Sequence, residues 1–425
     1  MTTPPSPKAA APLQTWAAKN RTNLLYGGAI VAALVLGSIL GATAPPPAWK
    51  GVGTQVGHPL AVLVDPANAQ TIYIGTEQGQ VRVSTNSGSS WADDATGLPS
   101  NAPVSALLKS PDGVYFFAGT SAGVYAFNSA TKTWAASSNG LPNGDGIDTL
   151  VFNAADHKTV LAGTEQNGVY RSTDGGKSWA SSSNGLPNRA DVYGLTGQSD
   201  FKTLYAAVIG AGVYRSTDGG TSWVASNTGL PTKIDVFTVT LRPDDQSSVL
   251  HLFAGTDQGI FRSDDGAAHW VSSSQGLGTT RAISLAVDPQ TSLVMVAGTD
   301  NGVYESNNGG LAWLTLAKGI PNGQHVGVVA ISHPSNANEM AFAAGDQLYV
   351  YPGSTSSTSA TLSRIFILGA LIGTVLWLTT RQRRTIQAMT PKVPNRIPPR
   401  NPRPTVRPAD TSHIRGGPPP AAPPT

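Results

Sequence analysis

The sequence predicts an all-β fold: a seven-bladed β-propeller closed by an N-terminal strand, with two transmembrane α-helices flanking it. Three observations carry that reading. Tryptophans recur at Trp49, Trp91, Trp134, Trp179, Trp223, Trp270 and Trp313, at intervals of 42 to 47 residues, the repeat length of a four-stranded blade. Gly 47 and Pro 32 among 425 residues, with only 12% charged, suit short strands and tight turns rather than long helices. Two uncharged or nearly uncharged apolar runs lie near the ends, each about long enough to cross ~30 Å of hydrocarbon as a helix.

In chain order, residues 1–23 form a basic tail with Lys8, Lys19 and Arg21 and no acid. Residues 24–44 read as the first span. Ala42-Thr43-Ala44 resembles a signal-peptidase site, but Pro45 follows it and the apolar run is long, so an uncleaved anchor is expected. Residues 45–352 form the propeller, 353–361 a linker, 362–380 the second span, and 381–425 a basic, Pro-rich disordered tail. Lys19 and Arg21 on one flank, with Arg381, Arg383 and Arg384 on the other, place both termini in the cytoplasm and the propeller outside. Gly37/Gly41 and Gly369/Gly373 are expected to pack the spans together. This gives a two-pass protein, expected in a bacterial plasma membrane, with the lipid bilayer as one partner.

Charge is segregated. Residues 45–361 carry 15 basic and 24 acidic side chains, whereas the two tails carry +3 and +8. A fold of net −9 repels phosphate, so nucleic acid is excluded as a partner. With Cys 0, disulfides, thiol nucleophiles, iron–sulfur clusters and cysteine-ligated zinc are excluded too.

Within the propeller each period reads as four strands; in the third they are IDTLVF, TVLAGT, GVYRST and SWASSS. Gly-Thr recurs at Gly75, Gly119, Gly163, Gly255 and Gly298, with Ala207-Val208 in the missing slot. Gly-Leu-Pro or a relative recurs at Gly97, Gly140, Gly185, Gly229, Gly276 and Gly319. Residues 326–351 supply only three strands, so the segment around Trp49 is expected to complete the last blade and remove the open edges.

A turn motif, S-x-D-x-G-x-x-W, is complete at Ser172, Asp174, Gly176, Trp179 and at Ser216, Asp218, Gly220, Trp223. Its roles are structural: the carboxylate accepts backbone N–H groups, glycine takes positive φ, and tryptophan is buried between blades. Segment 172–179, STDGGKSW, resembles the Asp-box or BNR repeat. That family includes sialidases, xyloglucanase-type glycoside hydrolases, sortilin-type receptors and photosystem II stability/assembly factors. The propeller lacks the Arg-Ile-Pro segment of sialidases, the chain has one propeller rather than the xyloglucanase pair, and it has none of the cysteines of sortilins. The assembly-factor type resembles it best, which implies a non-enzymatic propeller that binds proteins.

The candidate site is an acidic rim. Second-to-third-strand turns carry Glu77, Glu165, Asp257, Asp300 and Asp346, and the turns leading into the innermost strands carry Asp148, Asp191 and Asp235. Two readings stand: a surface for a cationic partner or a divalent cation held by oxygen ligands, or plain solvated hairpin turns. His58 and His325 are placed near the same mouth. No catalytic residue, metal ligand or cofactor is expected. The function expected is a protein-binding or complex-assembly platform with an unidentified partner on the face away from the bilayer; the alternative is a glycoside hydrolase using a rim carboxylate pair.

Overall fold

The computed structural model describes residues 48–52, 57–242, 250–316, 318–332, 340–345 and 347–351. Every regular element among them is a β-strand, and the strands form four-stranded antiparallel sheets. Six blades, each of four consecutive strands, span residues 59–93, 104–136, 147–181, 192–225, 236–272 and 282–315. A further sheet is composite. Val328–Ser332, Met340–Ala344 and Leu348–Tyr351 come from one end of the ring, and Lys50–Gly51 pairs with the last of them, Lys50 opposite Val350 and Gly51 opposite Tyr349. Trp49 packs on Tyr351, ring centroids 5.2 Å apart.

The fold class predicted from the sequence is corrected in two respects. The ring has six blades rather than the seven predicted: the remaining sheet, closed by the N-terminal strand, is not a seventh copy of the blade, because its innermost strand Val328–Ser332 lacks the register shift that the innermost strand of each blade carries. The two transmembrane helices are not supported: among the described residues no helix is long and apolar enough to cross a membrane. Runs 24–44 and 362–380, with Gly37/Gly41 and Gly369/Gly373, lie outside the described residues, as do both tails and the linker.

The tryptophan column fastens blade to blade. Six indole Nε1–H groups donate to a carbonyl of the preceding sheet: Trp49 to Leu316, Trp134 to Asp94, Trp179 to Ser137, Trp223 to Ser182, Trp270 to Ser226 and Trp313 to Ser273, at 2.6 to 2.8 Å. The backbone N–H of each of these tryptophans donates to the same neighbouring segment, Trp179 to Asn139 and Trp223 to Asn184 at 2.8 Å. The next residue in that segment is the repeating glycine. It has φ near +90°, and a Cβ built at Gly140 or Gly185 would fall on the carbonyl oxygen of Trp179 or Trp223. Only glycine tolerates both the dihedral and the contact. Trp91 departs from the pattern: its Nε1 is buried with no hydrogen-bond partner among the described residues.

The turns before Trp179 and Trp223 are built by their own side chains. Ser172 Oγ accepts the N–H of Gly176 at 2.9 Å and donates to Asp174 Oδ1, while Asp174 accepts both the N–H and the Oγ–H of Ser178. Ser216, Asp218, Gly220 and Ser222 repeat the arrangement. The turn is tied across the blade interface, where Ser137 Oγ donates to Gly176 O and Ser182 Oγ to Gly220 O, both at 2.6 Å.

The core lies between blades. One cluster joins Leu161 and Val169 of the third blade to Val192, Leu204, Ala206 and Trp223 of the fourth. The second strands of the second, third, fourth and sixth blades are buried throughout. Their recurring Gly-Thr brings backbone close to the next innermost strand, where a Cβ at Gly298 would stand 2.7 Å from Val326 O. Ala207 fills that slot in the fourth blade, and its strand partner is Gly194, where Thr149, Thr238 and Ser284 stand in the third, fifth and sixth blades. The methyl group gained on one strand is matched by a side chain lost on the other.

Two substitutions test the lock. Gly185→Ala forces a Cβ onto Trp223 O at positive φ, and a loss of about 2–4 kcal/mol is expected in thermal unfolding of the full chain. Trp223→Phe orphans Ser182 O and is expected to cost about 1–3 kcal/mol more than Trp91→Phe, whose indole N–H makes no such bond.

Candidate functional site

The register shifts build the site. They fall at one place in six innermost strands: between Pro59 and Ala61, Val104 and Ala106, Ile147 and Thr149, Val192 and Gly194, Val236 and Thr238, and Ala282 and Ser284. Each shift leaves one residue outside the ladder and re-aims it. Those residues are Leu60, Ser105, Asp148, Tyr193, Phe237 and Ile283, and all six line one cavity of about 710 Å³. The cavity occupies the mouth of the central channel, where the innermost strands begin.

A second column stands one residue before each strand: His58, Pro103, Gly146, Asp191, Asp235 and Arg281. Its carbonyls accept the N–H groups of Glu77, Ser121, Glu165, Ile209, Asp257 and Asp300 in the second-to-third-strand turns, at 2.9 to 3.3 Å. This bond brings acids from two unrelated turns to one rim.

The predicted rim residues separate into groups. Asp148, Asp191, Glu165 and Asp235 form one acidic sector, with Asp145 as a fifth member. Asp148 is pushed up to about 7, first by burial and then by Asp191, Glu165 and Asp145. Asp191 is pushed up to about 6 by burial, then by Glu165, Asp145 and Asp235. Asp145 is tied down by the N–H of Gln166 at 3.1 Å and the amide of Asn167 at 2.7 Å. Asp235 Oδ1 accepts the N–H of Gly210 at 2.8 Å. Asp191 Oδ1 is closed off from solvent and has no hydrogen-bond partner among the described residues; Asp257 Oδ1, on the neighbouring turn, is in the same condition.

The other acids lie in a different sector. Asp300 pairs with His325 Nδ1 at 2.9 Å and with Arg281 Nε at 3.7 Å. Glu77 faces His58 at 4.0 Å. Asp346 lies outside the described residues. His58 and His325 both line the mouth, yet among the described residues no cluster of three or more histidine and acidic side chains is arranged to hold a metal ion. Ser172, Asp174, Ser216 and Asp218 are engaged in their turns, as described above.

Sequence reasoning missed Asp145, Tyr193, Phe237 and Arg281. It also grouped Asp148 with Asp191 and Asp235 as turn residues, whereas the register aligns Asp148 with Tyr193 and Phe237. Tyr193 and Phe237 meet edge to face, centroids 6.0 Å apart, and the Arg281 guanidinium lies over the Phe237 ring at 4.8 Å. The mouth thus holds an acidic sector, an aromatic wall and one cation paired on its far side.

Residues 109–367, more than half of the chain, match the family described as the DUF6242 beta propeller domain. The chain belongs to that family. No curated protein matches this DUF6242 propeller. Among solved structures it is similar to the extracellular domain of the hybrid two component system BT4673 from B. thetaiotaomicron, with 17% identity, 72% of this chain and 40% of that one covered, and a TM-score of 0.57. It is similar to the GH74 xyloglucanase from Xanthomonas campestris, with 18% identity, 72% and 53% covered, and a TM-score of 0.54. A structure of YCF48 bound to D1 peptide is similar at 14% identity, 74% and 97% covered, and a TM-score of 0.54. The DUF6242 chain spans two-fifths of the first of these and about half of the second. At such identities the likeness is one of fold.

The carboxylates give the fold a pH dependence of known sign. Asp148 and Asp191 bind protons more tightly in the native than in the unfolded chain, so stability falls as pH rises from about 4 through about 7. Asp174 and Asp218 are held down to about 2, first by the Ser178 and Ser222 side chains, so their support is lost as pH falls through that value. Asp148→Asn is expected to melt about 2–5 °C above the parent at pH 8 and together with it at pH 4, measured by thermal unfolding of the full chain.

Proposed function

We propose that this DUF6242 propeller is a non-enzymatic binding platform that works outside the cytoplasm and engages a protein partner at the channel mouth. The carrying observation is the ring of six bulged residues. Elsewhere the repeat keeps its residue types, as in the tryptophan and glycine columns. The bulge column differs in every blade, with Leu60, Ser105, Asp148, Tyr193, Phe237 and Ile283 facing one cavity. A position that each blade builds alike and fills differently suits recognition of an asymmetric surface. The similar YCF48 structure holds a D1 peptide, and the similar BT4673 propeller is an extracellular domain; both support this reading.

The full chain is expected to recover a stoichiometric partner in affinity purification from mild detergent. Tyr193→Ala and Asp148→Asn should each deplete it, and Glu305→Gln, on a third strand away from the mouth, should leave it in place. Equal recovery by all four proteins would refute the platform.

A second reading has one observation in its favour. Asp148, at about 7, and Asp191, at about 6, stand on adjacent blades, and a carboxyl protonated near neutrality is what a glycosidase uses as its acid. If that reading holds, xyloglucan or a sialoside is turned over by the parent chain and turnover falls at least about 100-fold in Asp148→Asn and Asp191→Asn; no turnover above background eliminates it.

A further inference from the structure

We propose that the Asp148–Tyr193–Phe237 sector of the channel mouth takes a cationic side chain, the guanidinium of an arginine or the ammonium of a lysine, presented by the partner polypeptide. This rests on the platform reading and names the chemistry that the platform recognises. The cavity itself, about 710 Å³, accommodates a long side chain and part of the backbone that carries it.

Three independent features of this wall select a cation. Tyr193 is 42% exposed and lines the cavity beside Phe237, and aromatic faces attract ammonium and guanidinium groups. The wall already holds one such group, since Arg281 lies over Phe237 at 4.8 Å and is paired with Asp300. The chain's own arginine shows that this surface accepts a guanidinium between an aromatic ring and a carboxylate. Tyr193 stands near Asp148 and Asp191 on its other side, with Arg281 the cation within electrostatic reach of it.

The charge balance agrees. Asp145, Glu165 and Asp235 lie close enough to the Asp148 and Asp191 pair to disfavour its ionisation, and none of the five forms an ion pair among the described residues. Asp191 Oδ1 is shielded from solvent with no hydrogen-bond donor. A buried acceptor in that condition calls for a partner, and a guanidinium brings several N–H donors to it while offsetting the crowded negative charge. A neutral sugar would supply donors but no charge, and an acidic peptide would be repelled. Arg281, His325 and His58 line the rest of the mouth, and Arg189 donates to Gln166 in the turn that carries Glu165.

The test uses the full chain in detergent and two labelled peptides of the same length. One carries arginine at alternate positions with glycine; the other carries citrulline in its place, which keeps the shape and removes the charge. Fluorescence anisotropy at pH 7.5 and moderate salt should show the arginine peptide binding at least about tenfold more tightly. Asp148→Asn, Asp191→Asn and Tyr193→Ala should each weaken it about fivefold or more, and Glu305→Gln should not. Affinity should fall as pH drops from 8 to 5 and Asp148 and Asp191 take up protons. Asp148→Asn removes a destabilising charge, so its loss of binding is not a loss of fold; thermal unfolding checks this for each variant. Equal binding of the two peptides, or arginine binding untouched by the three mouth variants, overturns the proposal. If no arginine binding is seen while Tyr193→Ala still depletes the natural partner, the cation assignment falls and the platform stands. If the partner is recovered equally by every variant, the platform falls with it.

Discussion

The indole-to-carbonyl bond between neighbouring sheets is the constraint on which this ring depends. A blade alone is a small twisted sheet with two apolar faces, and it has no stable way to bury them except against another blade. Dispersion between flat apolar surfaces tolerates sliding. A directed N–H donor buried at six of the interfaces does not, because a slip of one residue leaves both groups unpaired in a dry environment. The repeating glycine then lets the receiving backbone come up against the tryptophan carbonyl. Angle and spacing of the blades are set together, and the mouth at the centre inherits its diameter from these peripheral contacts.

The turn motif and the rim show how one residue type serves opposite purposes. Asp174 and Asp218 are surrounded by hydroxyl and amide donors that favour the charge, and they hold a hairpin together. Asp148 and Asp191 are surrounded by other carboxylates and partly withdrawn from water, so the charge is disfavoured. The first arrangement is copied around the ring as part of the scaffold. The second occurs at one sector, and a protein that keeps mutually repelling charges in a half-buried cavity gives up stability there, as functional sites commonly do.

Much of the architecture was legible in the sequence because it is periodic. The tryptophan interval, the Gly-Leu-Pro column and the serine-aspartate turn each recur often enough to locate strands and turns without coordinates. The composite sheet followed from counting three strands at one end and a tryptophan at the other. The mouth was legible only in part. Asp191 and Asp235 were found from charge and position, yet Asp148 was assigned to the wrong column, and Tyr193, Phe237 and Arg281 were missed. The reason is the bulge. Strand alternation assigns side chains to faces by counting in twos, and an extra residue near the strand start shifts that count. The signal available was variability: aligned on the glycine and tryptophan columns, the second residue of the innermost strand differs in all six blades. Membrane spans were read from hydropathy alone, and nothing in the described fold contains such helices.

The composite sheet has a mechanical corollary. Lys50–Gly51 and Leu348–Tyr351 are antiparallel neighbours, so the polypeptide enters and leaves the ring side by side at the same margin. Tension applied between those two points would open the short ladder bond by bond, like a zip fastener, instead of loading it all at once. Strain from anything attached to either end is therefore spent at one weak seam, and the geometry around the central opening is spared until that seam has parted.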